Sequence, residues 1–325
     1  MSLNSERAID EGRFVEIGGV EQWITIRGAN RDNPALLLVG GPGAAFTAFA
    51  PLFAPWEARF TLVQWDQPGA GATHGKNGVN ATGPITLERI ARDGIAVAEL
   101  ACRTLGKQKV GLLCFSGGTI VGLMMIKRRP ELFSAYVGSG QVVDWARQDA
   151  LSYELLLDEA RKSANRPAIA DLERIGPPPY ADTATDAVKS RYAGAMTDAE
   201  RAAMSALDPD ELVALQSPPA EAAYIAPGVP LENPRTRAMA VYAELRDEIV
   251  GFDARTLGLT FDVPMFFFQG DRDVFTVTSE VRDYAAEIQA PQKAFVLVEG
   301  AGHSTLFMRD ALLRLLDAHV RKTMI

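Results

Sequence analysis

Cysteine is scarce: the 325-residue chain holds two, Cys102 and Cys114. Two thiols cannot build a disulfide framework, and both fall where a helix and a strand are expected, so the expected setting is a reducing cytoplasm. Long apolar runs are missing too. Residues 1–20 are mostly polar or charged and no later stretch is long and apolar enough to span a bilayer, so neither a secretory leader nor a membrane anchor is expected. Clustered positive charge is the third absence. With 33 basic against 41 acidic residues, a net charge of -8 and no Lys/Arg-rich block, nucleic acid is not an expected partner. The three histidines are scattered, and Asp144, Asp149 and Asp158 form no metal-ligand pattern with them, so no metal and no cofactor are expected.

What is present is a hydrophobic content of 47%, ample for one large core. Two alternating stretches, Phe14 to Ile17 and Glu21 to Ile26, flank Gly18-Gly19 and read as an antiparallel hairpin. Next come short, nearly continuous apolar runs at Ala35–Val39, Phe60–Trp65 and Val110–Phe115, the pattern of strands buried on both faces. Thr86 can cap a helix that Gly106 stops, and a second helix from about Gly118 to Arg129 leads to a strand at Ala135–Gly138. The strand signal then disappears from roughly Val142 to Thr260, where helix formers alternate with Gly176-Pro177-Pro178-Pro179 and Ser217-Pro218-Pro219. It returns at Pro264–Phe268 and Ala294–Val298. The expected organisation is an α/β core of residues 1–141 and 261–325, its mostly parallel sheet flanked by helices, with an inserted helical cap at 142–260.

In an open α/β sheet, ligands sit beyond the carboxyl ends of the strands, so chemistry should follow each apolar run directly. The run to Phe115 passes into Ser116-Gly117-Gly118-Thr119 and a helix, the setting of a nucleophile elbow. Cys114 stands where the Gly-x-Ser-x-Gly pattern has its first glycine. The run ending at Gln269 passes into Gly270-Asp271-Arg272-Asp273, and the run ending at Val298 into Glu299-Gly300-Ala301-Gly302-His303. Asp273 is the favoured acid by its Gly-x-x-Asp spacing, with Asp271 the alternative, and His303 is the favoured base over His74 and His319. The order Ser116, Asp273, His303 suits a serine nucleophile whose proton passes to an imidazole oriented by a carboxylate. An oxyanion forming on the substrate needs two backbone N–H donors. Gly117 supplies one and Gly41 is favoured for the other, with Gly43 and Ala44 as alternatives, because Pro42 has no N–H.

These motifs resemble the proline iminopeptidase branch of the α/β-hydrolases. Val39-Gly40-Gly41-Pro42-Gly43 is similar to that family's His-Gly-Gly-Pro-Gly, and Trp65-Asp66-Gln67-Pro68-Gly69-Ala70-Gly71 to its Trp-Asp-Gln-Arg-Gly-Ser-Gly. The resemblance implies the α/β-hydrolase fold, a cofactor-free serine hydrolase, and a small-molecule or short-peptide substrate. It also implies a cap glutamate for the substrate's free amine. No tryptophan follows residue 146 to mark that glutamate, which leaves Glu221, Glu244 and Glu248 as candidates. A carboxylesterase or another small-carbonyl hydrolase is the enzyme alternative. A non-catalytic ligand-binding or sensor protein on the same fold is the alternative of another class.

Overall fold

Gly18 and Gly19 both adopt positive φ, 61° and 79°, and so turn strand β1 (Ile9–Ile17) tightly into β2 (Val20–Gly28) with the twist that antiparallel pairs favour. This is a computed structural model, and it describes residues 7–81, 83–216, 219, 222, 224–229 and 234–324. The apolar runs form β3 (Ala35–Val39), β4 (Thr61–Trp65) and β5 (Val110–Phe115), in which every residue is buried. With β6 (Phe133–Ser139), β7 (Met265–Gly270) and β8 (Lys293–Val298) they complete an eight-stranded sheet in the order β1-β2-β4-β3-β5-β6-β7-β8. Only the pairings that involve β2 are antiparallel.

Helices α1 (Ala50–Phe53), α2 (Gly71–Ala81), α3 (Leu87–Leu105) and α4 (Gly118–Arg128) fall between the first six strands. The expected punctuation of α3 is realised: the Thr86 side chain accepts from the Arg89 N–H, and Gly106 ends the helix at φ 65°. Helix α2 is not expected from its glycine-rich sequence. It starts where the buried Asp66 carboxylate accepts the Ala72 N–H at 2.8 Å, and its Thr73 hydroxyl donates to the Asp66 carbonyl at 2.6 Å.

Between β6 and β7 lie α5 (Trp145–Lys162), α6 (Arg166–Ile175), α7 (Thr183–Ala193), α8 (Asp198–Ser205), α9 (Pro209–Gln216) and α10 (Pro234–Val250). Their starts are written in side chains: Asp144, Asn165, Asp182 and Thr197 each accept a backbone N–H three residues on. Tyr153, Ala160, Ala168 and Leu172 give α5 and α6 a small core of their own, separate from the clusters on either face of the sheet. Helices α11 (Thr278–Glu287) and α12 (Arg309–Leu315) complete the chain. Among the described residues no helix is long and apolar enough to cross a membrane. None of their His, Cys, Asp and Glu side chains form a group of three or more that could hold a metal.

Candidate active site

Ser116 stands between β5 and α4 at φ 51°, a left-handed conformation that costs a non-glycine residue about 1–3 kcal/mol and persists only where its surroundings enforce it. Three bonds enforce it here. The Ser116 N–H donates to the Ser139 carbonyl at 2.9 Å, while the Ser116 carbonyl accepts from the Thr119 N–H at 2.8 Å and its hydroxyl at 2.6 Å. The turn also needs Gly118, since a Cβ there would meet the Val39 carbonyl and lie 2.6 Å from that of Gly40. The departure at Cys114 is accommodated from across the contact. A Cβ on Gly122 of α4 would collide with the Cys114 sulfur, so the glycine of the motif has its counterpart on the helix.

The Ser116 hydroxyl lies 2.7 Å from His303 Nε2, and His303 Nδ1 lies 3.0 Å from Asp273 Oδ2. Of the two aspartates after β7, Asp273 is 2% exposed and faces the imidazole, while Asp271 is exposed. Asp273 Oδ1 accepts the N–H groups of Phe275 and Thr276 at 2.8 and 2.9 Å, and Oδ2 accepts from the Gln269 amide at 2.9 Å and the Thr276 hydroxyl at 2.7 Å. Burial opposes the Asp273 charge, yet His303 and the Thr276 donors outweigh it and hold the carboxyl below its ordinary value. Phe275 stacks on the His303 ring, centroids 4.5 Å apart, and so restricts its rotation. The other two histidines lie elsewhere. His74 is buried in α2, and His319 is half-buried with its ring 6.2 Å from that of Phe268.

The loop after β3 lies against the elbow, with Gly41 facing Gly117. The Gly43 N–H is engaged by Gln67 Oε1 at 3.2 Å and the Ala44 N–H by the Gly41 carbonyl at 2.9 Å. The N–H groups of Gly41 and Gly117 have no acceptor among the described residues. Gln67 holds this loop from both ends, since its amide also donates to the Gly40 carbonyl at 3.0 Å. Its neighbour Asp66 clamps the far side of the loop by accepting from the Thr47 N–H and hydroxyl at 3.1 and 2.8 Å. Burial pushes the Asp66 carboxyl up to about 6, against the pull of Ala72 and Thr47.

The glutamates named for substrate binding are placed differently from that expectation. Glu244 Oε1 accepts the Ile85 N–H at 3.4 Å and Glu248 Oε2 the Leu87 N–H at 3.0 Å, which pins α10 to the start of α3. Glu248 thereby meets the first N–H of α3, one that a helix start leaves without an internal partner, while Glu244 meets the N–H just before the Thr86 cap. Glu221 lies outside the described residues.

A different glutamate reaches the site. Glu200 of α8 is fully buried; one carboxylate oxygen accepts the Thr197 N–H at 2.8 Å, and the other accepts the Gly302 N–H at 2.9 Å, one residue before His303. The Thr-x-x-Glu capping box is legible in the sequence, but its second bond, 102 residues away, is not. Glu200→Ala is expected to lower kcat about tenfold by freeing the His303 loop, and Glu200→Gln, which keeps one oxygen for these donors, to recover part of the loss. Steady-state kinetics with urea midpoints for the three proteins check this, and equal kcat values would leave Glu200 a helix cap only.

The sheet, the elbow after β5 and the Ser116, His303, Asp273 array define one class of protein. The family model described as "Alpha/beta hydrolase family" matches residues 35–315, and the chain belongs to that family. Among curated proteins it is similar to "Probable aminopeptidase YbaC" of Bacillus subtilis (strain 168), 26% identical over 308 residues that cover 93% of each chain. Two solved structures share the fold. One is a proline iminopeptidase-related protein from Thermus thermophilus, at 17% identity and TM-score 0.60, covering 95% of this chain and 96% of that one. The other is a thermophilic esterase from Thermogutta terrifontis, at 16% identity and TM-score 0.55, covering 98% and 100%.

Proposed function

We propose that this chain is a serine hydrolase that cleaves a small amide or ester through an acyl-Ser116 intermediate, and that it acts as an aminopeptidase of the proline iminopeptidase type. The observation that carries the reading is the unbroken run of hydrogen bonds from Ser116 through His303 to Asp273. His303 Nε2 takes the Ser116 proton as the oxygen attacks the substrate carbonyl, and Asp273 keeps Nδ1 protonated and stabilises the imidazolium. The Gly41 and Gly117 N–H groups meet the oxyanion. His303 then protonates the leaving group, and water, activated by the same imidazole, clears the acyl-enzyme. Residues 142–260 act as a cap that selects a small molecule or a short peptide, in the cytoplasm. The aminopeptidase name of the Bacillus subtilis relative supports the finer assignment.

The placement of Glu244 and Glu248 on backbone N–H groups favours a second reading, a carboxylesterase or other small-carbonyl hydrolase that needs no amine site. Measuring kcat/KM for a proline arylamide beside a short-chain nitrophenyl ester, in native protein and in Ser116→Ala, decides between them. Ser116-dependent turnover that favours the proline amide is the expected result. Turnover of the ester alone would sink the peptidase assignment.

A further inference from the structure

The Gly40 carbonyl and the Gly41 N–H are the two ends of one trans peptide, so they point in opposite directions and can only turn together. Turning that plane over changes torsions of Gly40 and Gly41 alone, and glycine takes up such angles at low cost. Half a turn would set the Gly40 carbonyl where the Gly41 N–H is needed and close the oxyanion hole.

The turn that follows does not fix this plane. The Ala44 N–H donates to the Gly41 carbonyl at 2.9 Å, with Pro42 and then Gly43, at φ 79°, as the two central residues, the residue pattern of a type II turn. That bond holds the peptides from Gly41 onward. Val241 of α10 covers the same stretch, since a Cβ on Gly43 would lie 2.6 Å from the Val241 Cβ. The Gly40–Gly41 peptide precedes both. Among the described residues its only hydrogen bond is the one that the Gly40 carbonyl accepts from Gln67 Nε2, at 3.0 Å.

The orientation of the Gln67 amide is set by its other partner. The Gly43 N–H can only donate, so Oε1 lies there, at 3.2 Å, and the NH2 is left for the Gly40 carbonyl. Gln67 is 1% exposed, and a buried amide is costly unless both of its ends are bonded; here both ends are spent on this one loop. With the Gly40 carbonyl drawn to Gln67, the Gly41 N–H at the opposite end of the plane points away from it. Gly41 faces Gly117, and both glycines are half-buried at the elbow.

We propose that Gln67 is a positioning residue of the oxyanion hole: by holding the Gly40 carbonyl it locks the Gly40–Gly41 peptide with the Gly41 N–H aimed at the substrate oxygen. The proposal rests on the reading of Ser116 as nucleophile.

The test compares native protein, Gln67→Met, Gln67→Glu and Ser116→Ala in kcat and KM on the ester and the amide named above, and in Ki for trifluoroacetophenone. With this ketone the Ser116 oxygen adds to the carbonyl carbon, the Ser116 proton passes to His303, and the ketone oxygen becomes an oxyanion held as in the reaction. Fluorophosphonate titration counts the active sites of each Gln67 variant, so a misfolded fraction does not register as lost kcat. Gln67→Met removes the donor and keeps the length of the side chain. It is expected to lower kcat about tenfold and to raise Ki by the same factor, with KM within about twofold of native. Gln67→Glu keeps an acceptor for the Gly43 N–H but, when ionised, sets a carboxylate against the Gly40 carbonyl, which drives the peptide over. Its kcat is expected to fall about 10²-fold at alkaline pH and to recover towards native as pH falls, because a protonated carboxyl donates to the Gly40 carbonyl as the amide does. Rates relative to native at each pH cancel the titration of Asp66, whose buried carboxyl rises to about 6 beside the same loop. The same ratio for Gln67→Met should not vary with pH. An unchanged kcat in both variants, a loss that falls on KM while Ki stays put, or a Gln67→Glu ratio that is flat in pH would each overturn the proposal. Turnover that persists in Ser116→Ala would instead defeat the nucleophile reading, and the proposal with it.

Discussion

Asp273→Asn is expected to lower kcat about 10⁴-fold while leaving KM within a few-fold of native. The structure dictates which way the new amide must point. Oδ1 is held by the N–H groups of Phe275 and Thr276, so the asparagine oxygen has to stay there and its NH2 has to take the place of Oδ2. That NH2 then faces His303 Nδ1, which can no longer present a proton to it. The imidazole shifts its proton to Nε2, the nitrogen that must accept from Ser116, and the base is lost without loss of shape. Stability carries a pH signature of the same change. Because the folded-state value of Asp273 is depressed, its stabilisation is present above the unfolded carboxyl value and is lost as pH falls through the folded one. The gap in urea midpoint between native and Asp273→Asn proteins should be widest near neutrality and narrow below about pH 4. Steady-state kinetics with urea titrations at several pH values check both parts, and a kcat within tenfold of native would remove Asp273 from the proposed mechanism.

Gly270→Ala is expected to cost at least about 3 kcal/mol of stability, read as the shift in urea midpoint, and to abolish turnover in whatever protein remains folded. A Cβ on Gly270 would collide with the Gly302 carbonyl and approach that of Ala301 to 2.5 Å. These are backbone atoms of the loop that carries His303, so the collision cannot be relieved by a rotamer change. Gly270 also accepts the Thr278 hydroxyl at 2.6 Å through its own carbonyl, at the strand end from which the Asp273 turn departs. One methyl group at the end of β7 thus pushes the base and its acid apart together. A stable, active Gly270→Ala protein would show that the two loops are more plastic than their packing implies.

The parts legible in the sequence are those governed by local rules. The Gly18-Gly19 hairpin, the fully buried parallel strands, the Thr86 and Gly106 ends of α3, and the elbow at Ser116 each follow from a few adjacent residues. Strand order could not be read this way, but the position of Ser116, Asp273 and His303 just after apolar runs was enough to predict that they converge. What stayed hidden depends on contacts between distant residues. Gln67 looks like one polar residue in a glycine-rich stretch, and only the fold shows it holding Gly40 and Gly43. Glu200 reads as half of a capping box, yet it also reaches Gly302. Lys189 and Asp149, 40 residues apart, give no sign of pairing until α5 and α7 pack. The converse holds for Glu244 and Glu248, which the resemblance to proline iminopeptidases offered as amine ligands and which the fold sets against the Ile85 and Leu87 N–H groups. A carboxylate that meets backbone N–H groups at the start of another helix leaves no local sequence signal.

The central claim is that Ser116 is an activated nucleophile, and the most direct measurement is covalent labelling with a fluorophosphonate followed by mass spectrometry of the digested protein. The account predicts one adduct per chain on the peptide that carries Ser116, absent in Ser116→Ala and strongly slowed in His303→Ala. No adduct, or an adduct on another residue that persists in Ser116→Ala, would contradict it.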